Sequence, residues 1–415
     1  MDFELNEEQK QIKSMVKDFC KKEIDPKRIK DIENTVYNAR TCAEVKAVFP
    51  RDLLVKLNDV GLRQLCIPAK YGGTEPESGA NITRAIAVEE MAYLTGGAAV
   101  LLATPFMICG ASTTSKYVTG EQKERFYTEY LANPKLWLGG TVSSPSGGTD
   151  PHLPYNAPGA GLQEIFAYKD GHEWVLTGDK MFCSGGAAAD ALGVLARTEK
   201  TGPITESATH FLVSTSAPGI SQILNRFSGV EICGNAQTYF DNVRIPEDSI
   251  MGQVNKGYYS MVEGGMNYKW MMLLPFLGEI RRVYDDVVEF AKQRVQGGKP
   301  IIRHSHIQVM LGETAAQLEA LRNFAYRTAW EADRFEKDGG SSPVFWSMGY
   351  LYLFKKLGLR VSEMASEIYG GIGKSVDMPL EWFNRRIWTW QGAGTSAHIN
   401  AIKCARAYNS IPLDS

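Results

Sequence analysis

The sequence has no CxxC pair, no long apolar run, no low-complexity tract and no excess of either charge. Each absence removes a class of protein. Seven cysteines (Cys20, Cys42, Cys66, Cys109, Cys183, Cys233 and Cys404) are odd in number and scattered, which reads as reduced, mostly buried thiols of a cytoplasmic protein. The longest apolar stretches, Ala98–Ala103 and Met271–Leu277, fall short of the roughly 20 residues that a bilayer span needs, so no membrane span is expected. Forty-five basic residues against 47 acidic ones leave a net charge of -2, so no general basic field exists to attract nucleic acid. The first ten residues have neither an apolar signal core nor an Arg-rich transit character. What is present is ordinary globular composition, 44% hydrophobic and 22% charged, over 415 residues, enough for two or three domains.

The texture of the chain changes twice. Up to about Tyr130 the apolar positions recur at helical spacing, as in Ile12, Met15, Val16, Phe19 and Cys20, with Pro26 interrupting the first helix. Residues 51–63, 80–94 and 120–131 repeat that pattern. From about Leu138 to Gly252, short β-rich runs (174–176, 192–196, 209–213, 238–240 and 243–245) are separated by Gly, Asp, Asn and Pro. Asp150–Gly161, with three prolines and two glycines, reads as loop. Long helices are then expected over 258–296 (bent near Pro275), 307–337, 343–369 and about 395–407. The expected fold is mainly α with a central β domain. Its parts are an N-terminal helical domain (1–135), a middle sheet domain (136–252) and a C-terminal helical domain (253–415) with an antiparallel up-down packing.

Four segments in order carry a family resemblance. They are Val142-Ser-Ser-Pro-Ser-Gly-Gly-Thr-Asp150, Leu176-Thr-Gly-Asp-Lys-Met-Phe-Cys-Ser-Gly-Gly186, Phe240-Asp-Asn-Val-Arg-Ile-Pro246, and Ile368-Tyr-Gly-Gly-Ile-Gly373 with Asp377, Pro379 and Glu381. Together they resemble the acyl-CoA dehydrogenases, flavoproteins that oxidise CoA thioesters across the α and β carbons. The resemblance implies that the middle domain is β-barrel-like and the last a four-helix bundle. It also implies FAD, a CoA thioester substrate, an electron-transfer flavoprotein or other electron acceptor, and a homotetramer. It assigns Val142, Ser143, Gly148, Thr149, Phe182, Ser184 and Thr395 to the flavin. Arg294, Gln296, Glu367, Gly370 and Gly371 would reach the flavin of a neighbouring subunit. Read by themselves, the Gly147-Gly148-Thr149 turn offers N–H groups to an anionic oxygen, and Gly370-Gly371 permits a close backbone approach. The resemblance puts Thr149, Met266 (or Asn267), Lys269, Gly392, Ala393 and Gly394 on substrate positions, Met266 (or Asn267) and Lys269 on those that contact the nucleotide part of CoA. The pair His304 and His306 has no further ligand cluster, and no metal is expected.

The resemblance breaks where the reaction needs a base. Most members carry a Glu in a Tyr-Glu-Gly-Thr segment; here Ile387-Trp-Thr-Trp-Gln-Gly-Ala-Gly-Thr-Ser396 puts Ala393 on that seat and Gly392 on the Tyr. A second seat, used by a minority, falls on Tyr268, whose ordinary pKa near 10 makes it a poor base at neutral pH. The catalytic group is therefore unknown, with Glu89 and Glu90 as candidates that point about 100° apart on one helix. Three readings stay open: an acyl-CoA oxidoreductase with a non-standard base, a family flavoprotein whose reaction needs no α-proton removal (elimination, decarboxylation-type or oxygen-dependent), and a non-catalytic subunit of a heteromer. Replacing Tyr and Glu by Gly392 and Ala393 also vacates volume, which either Trp270, Trp388 and Trp390 or a bulky, cyclic or functionalised acyl group would fill.

Overall fold

A computed structural model describes residues 4–148, 150–152, 164–229, 231–338 and 342–411. Thr149 and most of the loop expected over 150–161 therefore lie outside the described residues. The first layer is helical because its caps and periodicity agree. α1 (Glu7–Glu23) opens with a capping box, in which Asn6 accepts from the Gln9 N–H and Gln9 answers the Asn6 N–H. Pro26 stands at the first position of α2 (Pro26–Asn38), where its missing N–H costs nothing. α3 (Cys42–Val48), α4 (Arg51–Asp59), α5 (Ala80–Leu94), α6 (Gly96–Thr113) and α7 (Gly120–Ala132) follow. α6 is long and apolar enough to cross a bilayer, yet 83% of it is buried in the protein between α5 and α10. A helix apolar on every face belongs in a core.

Seven strands form one curled sheet in the order β1-β4-β2-β3-β7-β6, with β5 added on β4. They are β1 (Leu138–Thr141), β2 (Phe166–Asp170), β3 (Glu173–Cys183), β4 (Ala191–Arg197), β5 (Ala208–Ser214), β6 (Ile220–Asn225) and β7 (Asn235–Pro246), with the single-turn helix α8 (Ile204–Ser207) before β5. The two runs read at 238–240 and 243–245 are one strand, continuous through Asn242 at φ +50°. Asn tolerates that angle.

The C-terminal third differs in detail from the periodicity. The stretch read as one helix starts as a π-helical turn, Tyr258–Glu263, continues as α9 (Gly264–Tyr268), and restarts at Lys269 as α10 (Trp270–Gln293). The break is thus at Lys269, and Pro275 lies inside α10. The hairpin β8 (Val295–Gln296) with β9 (Lys299–Pro300) leads to α11 (Ser305–Asp338), α12 (Val344–Tyr369), α13 (Pro379–Gly392) and α14 (Ala397–Asn409). The helix α13 was not expected. Its signal is nonetheless in the sequence: Pro379 at the first turn, then Leu380, Phe383, Ile387 and Trp390, all buried, at helical spacing.

One buried guanidinium ties first layer to last. Arg386 of α13 donates to Glu33 of α2 at 2.5 Å and to Glu279 of α10, with Arg386 and Glu33 almost wholly enclosed. Removing one partner of such a group strands the others. Arg386→Met is expected to lower the unfolding free energy in urea by about 3–5 kcal/mol. Arg28→Met, which breaks a half-exposed pair with Asp52, should cost at most about 1 kcal/mol; equal losses would refute the assignment.

Candidate active site

Two of the segments singled out in the sequence are laid side by side by the sheet. Gly140 of β1 exchanges backbone hydrogen bonds with Ser184 at 3.2 and 3.1 Å, and the Met181 N–H donates to the Ser143 carbonyl at 3.1 Å. Ser144 and Gly147 close the intervening turn with reciprocal bonds of 3.0 and 3.1 Å. Lys180, wholly buried, donates to the Val142 carbonyl at 3.1 Å, and burial pushes its ammonium down to about 7. The hydroxyls of Ser143 and Ser184 have no hydrogen-bond partner among the described residues. They are free to meet a ligand.

Between them the register of β3 on β7 shifts, from Lys180 to Cys183. The irregularity turns Phe182 out of the sheet at φ +54°, 49% exposed, its ring 5.6 Å from that of Phe227. A bulky residue in the left-handed region is an outlier that costs about 1–2 kcal/mol. Such strain is held where the rotated side chain is used.

A second non-glycine of this kind is Thr395, at φ +87° beside Gly394 at φ +65°. The loop joining α13 to α14 is gripped from beneath by Lys355 of α12. Its buried ammonium donates to the carbonyls of Gln391 at 3.1 Å, Ala393 at 2.9 Å and Thr395. A Cβ on Gly394 would collide with the end of Met272, whereas one on Gly392 would meet nothing within 4 Å. Vacated volume is thus partly filled, by Met272 and Lys355. The tryptophans play other parts: Trp270 and Trp390 are core, the latter 4.4 Å from the Phe276 ring, and Trp388 is 68% exposed. Trp388 lines an open cleft of about 500 Å³ with Ser228, Ser366, Asn384, Arg385 and Thr389. The loop joining β6 to β7 connects the two halves, since Phe227 lies on Phe182 while the Ser228 carbonyl accepts from Thr389.

Behind the Ala393 loop the structure gathers Lys269, expected on a substrate position, with Lys403 and His152, which the sequence reading did not single out. Lys269, at the joint of α9 and α10, lies 3.2 Å from both ring nitrogens of His152, which ends the 3-10 turn Asp150–His152 after the Val142–Gly148 segment. Lys403 of α14 reaches only the Met266 thioether, at 3.0 Å. Burial and the Lys403 and Lys355 charges push the Lys269 ammonium well below its ordinary value; burial alone takes Lys355 to about 8 and Lys403 to about 7. His152 is likewise held far down, by burial and by the charges of Lys269 and Lys403.

The acids named as candidate bases are committed elsewhere. Glu89 is fully buried, accepting from Arg281 at 2.8 Å, Arg322 at 2.7 Å and Tyr326 at 2.6 Å. Burial pushes its carboxyl up, but the two guanidiniums outweigh that and hold it below the ordinary carboxylate range. Glu90 faces α1, within 3.3 Å of Lys13 and 3.6 Å of Lys17. Tyr268 is buried against Gly110 with its hydroxyl on Glu336. Asn267 accepts from Ser342 at 2.8 Å. Arg294, Gln296, Glu367, Gly370 and Gly371 are all exposed. The Phe290 and Tyr369 rings, 4.8 Å apart, bring the end carrying Arg294 beside the end carrying Gly370. The Gly370-Gly371 backbone is open, with nothing within 4 Å of either missing Cβ. His304 bonds the Gln296 carbonyl at 3.0 Å, with its ring 5.8 Å from that of His306. No cluster of three potential metal ligands exists among the described residues.

Phe182→Gly is expected to relieve the strained backbone and raise the unfolding free energy by about 1 kcal/mol, while lowering affinity for a flat aromatic cofactor at least tenfold. Urea denaturation and FAD titration by fluorescence check the two halves. Unchanged flavin affinity would contradict a stacking role.

Family models describe the chain along most of its length. The acyl-CoA dehydrogenase N-terminal domain matches residues 6–133, the middle domain 142–243 and the C-terminal domain 255–402. The short-chain-specific acyl-CoA dehydrogenase of Megasphaera elsdenii is 28% identical, over 92% of this chain and 92% of that protein. The cyclohexane-1-carbonyl-CoA dehydrogenase of Geobacter metallireducens is 27% identical over 80% of this chain and 82% of its own. The solved butyryl-CoA dehydrogenase of Megasphaera elsdenii superposes with a TM-score of 0.81 at 24% identity, covering 99% of this chain and all of that one. An FAD complex of PigA gives a TM-score of 0.83 at 18% identity, covering 99% of each. These two carry the fold.

Proposed function

The chain belongs to the acyl-CoA dehydrogenase family, and from that premise we propose an FAD-dependent oxidoreductase acting on the acyl chain of a CoA thioester without the family's carboxylate base. The observation that carries this reading is the pair of costly backbone angles at Phe182 and Thr395, two residues of the expected flavin set. Bound FAD supplies hydride acceptance. Phe182 presents its face to the ring system, and the uncommitted hydroxyls of Ser143 and Ser184 offer donors to its polar edge. Val142 and Gly148 form the adjoining backbone wall, with Thr149 assigned to flavin and substrate by resemblance alone. The open Gly370-Gly371 backbone, with Arg294, Gln296 and Glu367, serves the cofactor of a second copy. Exposed Val295, Ile372 and Val376 at the same end favour such an assembly, a homotetramer. Electrons leave to an electron-transfer flavoprotein or another acceptor. Seven free thiols are consistent with a cytoplasmic setting.

Glu89 and Glu90 are held in ion pairs, which argues against either as the proton acceptor. Amines are the ionisable groups around the Ala393 loop: Lys355 directly, with Lys269 and Lys403 behind it. This favours, as the second reading, chemistry that removes no α-proton, such as a decarboxylation-type step. A non-catalytic subunit has less support, because strain is retained at Phe182 and Thr395. The open space at Gly392 suits an acyl group bulkier than a straight short chain, as does the ring substrate named for the Geobacter relative.

Anaerobic mixing of the FAD-loaded protein with acyl-CoA esters tests the reading. Cyclic or branched esters are expected to bleach the flavin at least tenfold faster than butanoyl-CoA. Product without net bleaching favours the second reading, and silence towards every thioester sinks both. Ala393→Glu should impair the native reaction at least tenfold without creating butanoyl-CoA dehydrogenase activity, because the new carboxylate would be captured by the surrounding amines. A variant that turns over butanoyl-CoA would contradict this.

A further inference from the structure

Several buried charges in this protein are paired. Arg386 has Glu33 and Glu279, Arg84 has Glu75, and Glu89 has Arg281 and Arg322. Others are not: Arg63 and Arg197 meet only neutral partners among the described residues, and amines gather without carboxylates where α9–α10, α12, α14 and the 150–152 turn converge, Lys269 half-buried among them. Lys355 is fully buried, Lys403 is 5% exposed and His152 8%. Lys355 spends its donors on three carbonyls, which satisfies its hydrogens but does not balance its charge. Among the described residues Lys403 has only a thioether and Lys269 only the imidazole, both weak partners for an ammonium. No carboxylate among the described residues lies in hydrogen-bond or ion-pair range of any of the four.

Enclosed positive groups without counter-ions are expensive, and they persist where something anionic is bound in use. We infer that the Lys269–Lys403 pair, backed by Lys355 and His152, receives a carboxylate carried on the acyl group of the substrate. The inference rests on the oxidoreductase reading above and names its substrate class. A carboxylate has two oxygens and about four acceptor sites, which answers two ammonium groups at once. Lys355 fixes the location. It holds the carbonyl of Ala393, the seat of the base in most of the family, so this cluster adjoins the acyl end of the ligand, although the resemblance puts Lys269 on a position that contacts the nucleotide part of CoA. Lys180 of the sheet, which donates to Val142, is a separate buried amine outside this cluster.

The test uses the FAD-loaded wild-type protein and compares short ω-carboxyacyl-CoA esters (succinyl-, glutaryl- and adipoyl-CoA) with their ω-methyl esters. Binding is read from the perturbation of flavin absorbance and, independently, by calorimetry. Each free carboxylate should bind at least tenfold more tightly than its methyl ester, and the ratio of the two affinities should fall at least tenfold in Lys403→Met and Lys269→Met. The wild-type comparison stands even if a variant fails to fold. Equal binding of acid and ester by the wild type overturns the inference and leaves the oxidoreductase reading intact. Loss of acid and ester affinity in parallel in the variants overturns it too, by assigning the amines to a phosphate of CoA. If no CoA thioester of any kind binds, the oxidoreductase reading falls first.

Discussion

The ammonium of Lys355 beneath three carbonyls of one short loop is the interaction around which the reacting end of this protein is arranged. It draws Gln391, Ala393 and Thr395 inward, and the loop can follow only by letting Gly394 and then Thr395 take positive φ. Gly394 in turn accepts the end of Met272 where a Cβ would collide. A buried cation, a strained hydroxyl residue and a packed methionine thus replace the Tyr and Glu expected on this loop. Charge of one sign has consequences nearby: burial and mutual repulsion keep Lys269 and His152 far below their ordinary pKa values.

The other half of the site depends on a local fault in the sheet. Without the register shift between Lys180 and Cys183, Phe182 would alternate into the β3 pleat with its neighbours. With it, the ring stands clear of the strand and meets Phe227, whose loop also touches α13 through Ser228 and Thr389. The Arg386 network anchors α13 from the opposite side, on α2 and α10. Sheet and helical bundle are therefore coupled through α13, and the cleft bounded by Trp388 lies along that coupling.

Much of this was legible in residue order. Helix starts with their own local chemistry, such as Asn6 with Gln9 or Asp25 with Pro26, declare themselves. So do strand ends such as Pro246, and the resemblance located the Val142 and Met181 segments that the sheet then juxtaposes. What could not be read has one physical cause: it arises from elements distant in sequence. Lys355, Lys403 and His152 each look like ordinary solvated polar residues, and although the resemblance marked Lys269, no spacing rule unites four elements into one cluster. Glu89 looked available for the same reason, since Arg281 and Arg322 lie far along the chain. The helix α13 is a different kind of omission, because its apolar spacing was present but was read only for its likeness to a catalytic segment.

The central claim is that buried, uncompensated amines form the acyl end of the site, and protonation tests it most directly. Lys403 at about 7 and Lys355 at about 8 are partly neutral at pH 8, and burial with the charges of Lys403 and Lys355 lowers the Lys269 ammonium too. An anion placed among them raises their proton affinity. Calorimetric titration of the FAD-loaded protein with an ω-carboxyacyl-CoA at pH 8, in two buffers of different ionisation enthalpy, therefore should report net proton uptake, and its methyl ester should report less. Zero uptake or proton release on binding the acid would contradict the account.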